Sequence, residues 1–169
     1  MARGDRHLWR VAKHSPLHHA AALDGMGAKL TGGRWNSKGK SVVYASSTIA
    51  LATLETLVHL VSRIGIRNAF LVDIVVPGPV WKARHILRAA ELDPTWVCEP
   101  PALTSMFLGD RWLSNGDTAL MLVPSVIVPE EYNILINPAH RQASGITAAV
   151  ARQYLYDPRL GPTLPRHLL

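Results

Sequence analysis

The stretch SVVYASSTIALATLE, residues 41–55, contains the signals for a strand that runs directly into a helix. Residues 41–45 are rich in β-branched and aromatic side chains, which are typical of a strand. The Ser-Ser-Thr sequence at 46–48 offers an N-cap, and residues 49–62 continue with the spacing of a helix. We therefore predict a strand over Ser41–Ala45 and a helix over Ile49–Ser62.

A carboxylate lies close to the apolar side of this predicted helix. On a helical wheel Leu51, Leu54, Val58 and Val61 share one arc, and Glu55 is about 40° from Leu51. A carboxylate beside a buried face needs a partner or a function, because desolvation of the charge costs several kcal/mol. From spacing alone, three interpretations stay open: a side chain that bends to solvent, a buried ion pair, or a catalytic group.

The remaining elements are rich in strands and do not alternate regularly with helices, which favours an α+β fold over a doubly wound sheet. His14–Gly33 is predicted to be mostly loop, and Val80–Gly116 carries only short helical signals. We predict one compact domain with mixed or antiparallel sheets and flanking helices. Its other predicted strands are Leu8–Ala12, Asn68–Val76, Asn133–Ile136 and Ile146–Tyr156. Thr118–Val123 and Ser125–Val128 form an apolar stretch that is broken at Pro124.

Length and composition are those of an ordinary folded protein. The 169 residues, 48% of them hydrophobic, are enough for one domain with a substantial core. No apolar run reaches the ~20 residues that span a bilayer, and no signal peptide is recognisable, so we expect a cytoplasmic protein without a membrane segment. Cys98 is the single cysteine, which excludes internal disulfides and cysteine-cluster zinc sites.

The net charge of +6 and the pI of about 9.9 are compatible with several partners. Nucleic acid, an anionic substrate and an acidic protein would each suit a basic chain. The basic residues are scattered, and neither G-x-G-x-x-G nor G-x-x-x-x-G-K-[ST] occurs. Charge alone therefore does not identify the partner. His14, His18 and His19 lack a further ligand in a known pattern, and we expect no metal site.

A glycine-rich block contains further candidates for binding. Gly32-Gly33 lets the backbone approach a ligand closely, and Arg34 presents a fork of donors that suits phosphate or pyrophosphate. Trp35 adds a stacking face and Asn36 adds an amide. A tight surface turn explains the same residues, so the block by itself is weak evidence.

Tyr44 lies in the predicted strand between Arg34 and Glu55. Because this strand leads directly into the helix, Tyr44 and Glu55 could approach each other. A tyrosine in a strand is far more often part of the core than of a catalytic site. The functional interpretation therefore depends on the combination of residues.

In combination, the motifs resemble the RES domain, a family named for an arginine, a glutamate and a serine. The resemblance extends from Leu8 to about Leu160, with one RES domain over 1–169. The matching motifs, in family order, are Leu8-Trp9-Arg10, Gly32–Asn36 with Gly39, Val43–Ser46, Leu51–Glu55, Leu108–Leu113, Val123–Ser125, Asn137-Pro138 and Asp157–Leu160.

The resemblance implies a toxin of a bacterial type II toxin–antitoxin pair with a fold similar to ADP-ribosyltransferase toxins. Such proteins deplete NAD by hydrolysis or phosphorolysis, or transfer ADP-ribose to a protein. NAD is then a substrate, phosphate is a candidate co-substrate, and no cofactor is expected. The expected partner is an Xre-type helix-turn-helix antitoxin that blocks the active site and through which any DNA contact is made.

The resemblance also implies roles for particular residues. Arg34, Tyr44 and Glu55 are the expected catalytic residues. Glu55 would stabilise the oxocarbenium-like ribose that forms when the nicotinamide–ribose bond breaks. Arg34 would hold the pyrophosphate and Tyr44 would stack on nicotinamide. The expected NAD-binding residues are Arg10, Arg34, Trp35, Asn36, Ser46 and Ser125, of which Ser125 would donate a hydrogen bond to the nucleotide.

The +6 charge also supports a hypothesis from another class, a non-catalytic nucleic-acid-binding module. Such a module would bind nucleic acid with a steep salt dependence and would not turn over NAD. The basic residues form no stripe, whereas the candidate site residues follow the family order. The sequence therefore favours an enzyme.

Overall fold

A computed structural model describes residues 4–15, 18–58 and 68–160, and this part of the chain contains a seven-stranded sheet and four α-helices. The strands are β1 (Arg6–Lys13), β2 (Val43–Ser46), β3 (Ala69–Val76), β4 (His85–Ile86), β5 (Leu120–Pro124), β6 (Tyr132–Ile136) and β7 (Thr147–Gln153). The helices are α1 (Met26–Thr31), α2 (Ile49–Leu57), α3 (Gly78–Lys82) and α4 (Leu103–Asn115). Short 3-10 helices occur at Ala89–Glu91, Pro94–Val97, Arg141–Gly145 and Pro158–Leu160.

The sheet is mixed, with the order β4-β5-β6-β2-β1-β3-β7. Strand β4 pairs with β5 in parallel, and the other neighbours are antiparallel. The antiparallel register places Ser46 of β2 opposite Asn133 of β6 on one side and opposite Trp9 of β1 on the other. The predicted α+β class, with one domain built on a mixed sheet, is confirmed.

Alternation along the strands divides the sheet into two faces. Tyr44 and Ser46 point to what we call the front face, whereas Val43 and Ala45 point to the back face. A large apolar core covers the back face, with fully buried side chains such as Ile74 from the central strands. Two separate clusters cover the front face. One contains Trp35, Trp96, Trp112, Met121 and Leu135, and the other contains Ala69, Leu71 and Tyr154.

Helix α2 begins where the sequence predicts, but it buries a different side. The Thr48 hydroxyl accepts the Leu51 amide hydrogen at 3.1 Å, as an N-cap should. Leu51 is 1% exposed, whereas Leu54 and Val58 are 37% and 61% exposed, so the predicted apolar arc is wrong. The buried side also contains Ala52 and Thr53, because the Thr53 hydroxyl is satisfied by hydrogen bonds to Ile49 and Tyr154. The last part of the predicted helix, with Val61 and His59, lies outside the described residues.

Two helices were not evident from apolar spacing. The loop prediction is wrong over α1, which buries none of its residues and therefore carries no apolar period. Between Val80 and Gly116 the sequence carries only short helical signals, whereas the structure contains the 13-residue α4. Its buried residues are Ser105, Gly109 and Trp112. Ser105 is small and polar and Gly109 has no side chain, so neither indicates a buried face in the sequence.

Helix α4 packs directly against the backbone of the glycine-rich block. A β-carbon at Gly109 would lie 1.8 Å from the carbonyl oxygen of Trp35, so only glycine permits this approach. One residue further on, the Asp110 carboxylate accepts the Ser37 amide hydrogen at 2.9 Å and the Ser37 hydroxyl hydrogen at 2.5 Å. These contacts give the Gly109-Asp110 motif a structural role, because both residues pack against or bind the turn that carries Arg34.

We predict that Gly109→Ala lowers the free energy of unfolding by about 3 kcal/mol or more, because helix and turn must separate to admit the methyl group. Urea unfolding measures the change. Gly27→Ala is the matched control, since Gly27 lies in α1 with open space around it. The control should change stability by less than about 1 kcal/mol, towards a more stable protein. Equal stability of wild type and Gly109→Ala would contradict the packing described.

Candidate functional site

The structure brings Glu55 and Ser125 together although they are 70 residues apart in sequence. The Ser125 hydroxyl donates to Oε1 of Glu55 at 2.8 Å, and the side-chain amide of Asn133 donates to the same oxygen. No described residue donates to Oε2 of Glu55. One carboxylate oxygen is thus held by two donors, and the other has no donor within the described residues.

Asn133 was not predicted as a site residue, and it links two residues that were. Its Oδ1 accepts the Ser46 hydroxyl hydrogen at 2.7 Å, while its Nδ2 donates to Glu55. The bond from Ser46 therefore determines which end of the Asn133 amide faces the carboxylate. A sequence signal did exist, since a lone polar side chain among the apolar residues of β6 is expected to find a hydrogen-bond partner.

The environment of Ser125 gives it a positioning contact with Glu55. Ser125 is fully buried, and its Oγ accepts the amide hydrogens of Ile127 and Val128 at 3.0 and 3.1 Å. Its single hydroxyl hydrogen is donated to Glu55. The predicted contact between Ser125 and the nucleotide itself stays a prediction.

Tyr44 holds the glycine-rich turn from below. Its hydroxyl accepts the Trp35 amide hydrogen at 3.1 Å and donates to Oδ1 of Asn36 at 2.8 Å. A β-carbon at Gly33 would lie 2.8 Å from that hydroxyl, which is the close approach that requires glycine here. Burial is the main cause that raises the pKa of Tyr44, so the phenol is neutral at physiological pH.

Trp35 and Asn36 are buried within this turn. Trp35 belongs to the tryptophan cluster of the front face. The Asn36 amide donates to the carbonyl oxygens of Ala28 at 2.9 Å and Lys40 at 3.1 Å, among others. Both side chains hold the turn in place, and neither presents open surface to a ligand in this structure.

Arg34 projects from the turn towards the 3-10 helix Pro94–Val97 and the residues that follow it. Its Nη1 donates to the carbonyl oxygens of Trp96 at 2.7 Å and Cys98 at 2.9 Å. Its Nη2 donates to the carboxylate of Glu99 at 3.0 Å. The guanidinium is therefore held in a fixed orientation, at the end of the front face marked by Tyr44.

Arg10 is not brought together with the other predicted residues. Arg10 follows Trp9 on β1, and neighbouring residues of a strand point to opposite faces, so Arg10 lies on the back face. There its guanidinium donates to the carbonyl oxygens of Ala20 and, at 2.8 Å, Ala22. Burial lowers its pKa, and the charge of Asp24 acts in the opposite direction. A role for Arg10 in NAD binding stays a prediction. The sheet lies between Arg10 and Glu55.

Four predicted residues, Arg34, Tyr44, Ser46 and Glu55, form what we call the strip, because Tyr44 binds the turn that carries Arg34 and Ser46 is linked through Asn133 to Glu55. Tyr44 and Ser46 are two residues apart on β2, a distance of about 7 Å. Two cavities, of about 310 and 290 Å³, lie elsewhere, one beside the end of α4 and one between Arg6 and Tyr132. Neither is lined by Arg34, Tyr44 or Glu55. The hydrogen-bond network therefore defines the site better than cavity size does.

Two other kinds of feature are absent from the described residues. Within 4–15, 18–58 and 68–160, no helix is long and apolar enough to cross a membrane. In the same part of the chain, no group of three or more His, Cys, Asp or Glu side chains is arranged to hold a metal ion.

Comparison with known proteins shows a shared fold and, from the sequence, the family. A chain of the MbcT–MbcA toxin–antitoxin complex of M. tuberculosis has the same fold, with a TM-score of 0.65 at 14% identity over 88% of this chain and 85% of that one. The sequence matches the RES domain over residues 7–157. This chain therefore belongs to the RES domain family.

Two curated relatives match nearly the full length. The Prs ADP-ribosylating toxin of Sphingobium sp. (strain YBL2) is 49% identical over 153 residues, which are 90% of this chain and 95% of that protein. Toxin Res of Yersinia enterocolitica is 34% identical over 154 residues, with coverage of 90% and 98%.

We predict that Tyr44→Phe costs about 1–3 kcal/mol of stability, because the Trp35 amide and Asn36 lose a buried partner. The pKa of Tyr44 is raised above the unfolded value of 10.0. Its contribution is therefore fully present below pH 10 and is lost as the pH rises above it. The unfolding free energy is measured at pH 7 and at several pH values between 9 and 11. It should fall more steeply with rising pH for wild type than for Tyr44→Phe. Identical slopes would show that Tyr44 does not carry this effect.

Proposed function

We propose that this protein is a toxin that cleaves the nicotinamide–ribose bond of NAD. The observation that carries the proposal is the Glu55 carboxylate, held at Oε1 by Ser125 and Asn133 and available at Oε2. Such a group, carried on α2 and linked through Asn133 to the strand that holds Tyr44, suits the stabilisation of a cation that develops in a substrate. Membership of the RES family and the names of the relatives support the same function.

In the proposed mechanism, Glu55 acts on the ribose. Loss of nicotinamide leaves an oxocarbenium-like ribose, as in the cleavage of a glycoside. A carboxylate oxygen near that carbon stabilises the positive charge as it develops. Because Ser125 and Asn133 already orient Glu55, little reorganisation is needed when the bond breaks.

The other residues of the strip bind and orient the substrate. Arg34 holds the pyrophosphate, and the neutral ring of Tyr44 stacks on nicotinamide. Trp35 and Asn36 act indirectly, since they hold the turn that carries Arg34. Ser46 acts through Asn133, to which it donates.

Two classes of acceptor for ADP-ribose remain candidates: a small molecule, which is water or phosphate, and a protein. Water or phosphate would make the protein an NAD glycohydrolase or phosphorylase that depletes cellular NAD. The 49% identical relative is named a Prs ADP-ribosylating toxin, which favours a protein acceptor as the second candidate. Products formed from NAD alone, with inorganic phosphate, or with purified Prs separate the three: free ADP-ribose, its phosphorylated derivative, or ADP-ribose attached to Prs.

The proposed partner is an Xre-type antitoxin that covers the active site in the cytoplasm. The solved neighbour is a toxin–antitoxin complex, which supports a partner of this kind. Leu54 and Val58 are exposed on the helix that carries Glu55, and an apolar surface beside the site suits a covering segment. Inhibition of NAD turnover by the product of the neighbouring reading frame would test this.

We predict that Glu55→Gln lowers the rate of nicotinamide release at least about 100-fold, because the charge opposite the developing cation is lost.

Asn133→Ala should lower kcat about tenfold with little change in KM, since Glu55 loses one charge-assisted hydrogen bond. Steady-state assays of nicotinamide release from NAD measure both.

Glu130→Gln and Asn115→Ala are the controls, because both residues are exposed and lie outside the network. Full turnover by Glu55→Gln would remove the basis of the proposed function. Absence of turnover in the wild type, together with strongly salt-dependent nucleic-acid binding, would favour the non-catalytic alternative.

A further inference from the structure

The guanidinium of Arg34 is oriented by backbone carbonyls and not by its acidic neighbour. Both contacts of Nη1 are to carbonyl oxygens, those of Trp96 and Cys98. Because the guanidinium is planar, pinning Nη1 determines where the opposite edge, formed by Nε and Nη2, points. This is an edge that binds carboxylate or phosphate with two parallel hydrogen bonds.

Only part of that edge is used within the described residues. Glu99 contacts Nη2 through one oxygen at 3.0 Å, and Nε donates to no described residue. Nε is also not among the buried polar atoms of the described residues that lack a partner. The edge is therefore accessible, with one of its two nitrogens still open.

Glu99 is weakly held compared with Arg34. The Arg34 side chain is 16% exposed, whereas the Glu99 side chain is 76% exposed. An ion pair with one exposed partner and one contact contributes little free energy, because water and salt screen it. The carboxylate can therefore move away while Arg34 remains in place.

We propose that Glu99 competes with the pyrophosphate of the substrate for the Nε–Nη2 edge of Arg34 and thereby lowers the affinity of the site for its anionic substrate. A pyrophosphate group takes both nitrogens and carries more charge than one carboxylate, so it displaces Glu99. Both anions meet at Nη2 and repel each other, so they do not bind together. The inference rests on the proposed function for its substrate, but the competition itself can be tested without turnover.

Glu99 thereby becomes a determinant of specificity. An anion that offers a single weak contact gains nothing over the carboxylate that it must displace. A group that spans Nε and Nη2 gains a second charge-assisted hydrogen bond. A simple carboxylate such as acetate can make the same two contacts, so the preference for pyrophosphate over acetate comes from its larger negative charge.

The test is calorimetric titration of the full chain with inorganic pyrophosphate, and with acetate, at about 50 mM salt. Glu99→Gln and Glu99→Ala should bind pyrophosphate roughly two- to fivefold more tightly than wild type, the range expected for loss of an exposed ion pair. The KM for NAD should fall by a similar factor with kcat unchanged. Arg34→Lys, which keeps the charge but lacks the planar edge, should bind pyrophosphate more weakly than wild type.

Glu91→Gln is the matched control. Glu91 also pairs with an arginine, Arg88, at 3.1 Å, but both partners are well exposed and lie outside the site. Its affinity for pyrophosphate should equal that of wild type, which would exclude a general effect of net charge.

Unchanged pyrophosphate affinity in both Glu99 variants would overturn the inference, as would an equal gain in Glu91→Gln. If the Glu99 variants bind pyrophosphate more tightly but no variant or wild type releases nicotinamide, the competition at Arg34 stands and the proposed function fails. If Glu55→Gln abolishes turnover but Glu99 has no effect on binding or KM, the proposed function stands and this inference fails.

Discussion

The half-buried side-chain amide of Asn133 is the group on which the candidate site depends. It accepts from Ser46 on β2 and donates to Glu55 on α2, so a single side chain joins two strands and a helix. Loss of these contacts would cost the half-buried amide and carboxylate their hydrogen bonds, one of which is charge-assisted. The register between β2 and β6 and the position of α2 are therefore constrained by the same group that orients the carboxylate.

A second set of contacts holds the other end of the strip. Helix α4 approaches the Trp35 backbone at Gly109, and the hydroxyl of Tyr44 binds the same turn from the sheet. Arg34 is carried on that turn and is oriented further by two carbonyl oxygens. The two ends meet on β2, where Tyr44 and Ser46 share one face. The groups proposed for substrate binding and for bond cleavage are thus both linked to β2.

Sequence patterns predicted the elements that bury continuous apolar surface. Strands such as Asn68–Val76 and Asn133–Ile136 were recognisable because both of their faces are covered. Helix α1 buries no residue and α4 buries small ones, so neither carries the apolar period on which prediction depends. The helical-wheel prediction of the buried side of α2 was wrong because apolar residues of this helix are exposed. Leu54 and Val58 look like core residues but are exposed, while Thr53 is buried because Tyr154 satisfies its hydroxyl.

For the site, the sequence by itself determined which residues could carry charge and hydrogen bonds: a carboxylate next to Leu51, an arginine after two glycines, and a serine after Pro124. It also carried the family resemblance through the order of these motifs. Only the tertiary structure decided which groups meet. Asn133 contacts Glu55, Arg10 lies behind the sheet, and Glu99 occupies the Arg34 edge. The physical reason is that strand order and register bring together residues far apart in the chain, and local spacing contains no information about either.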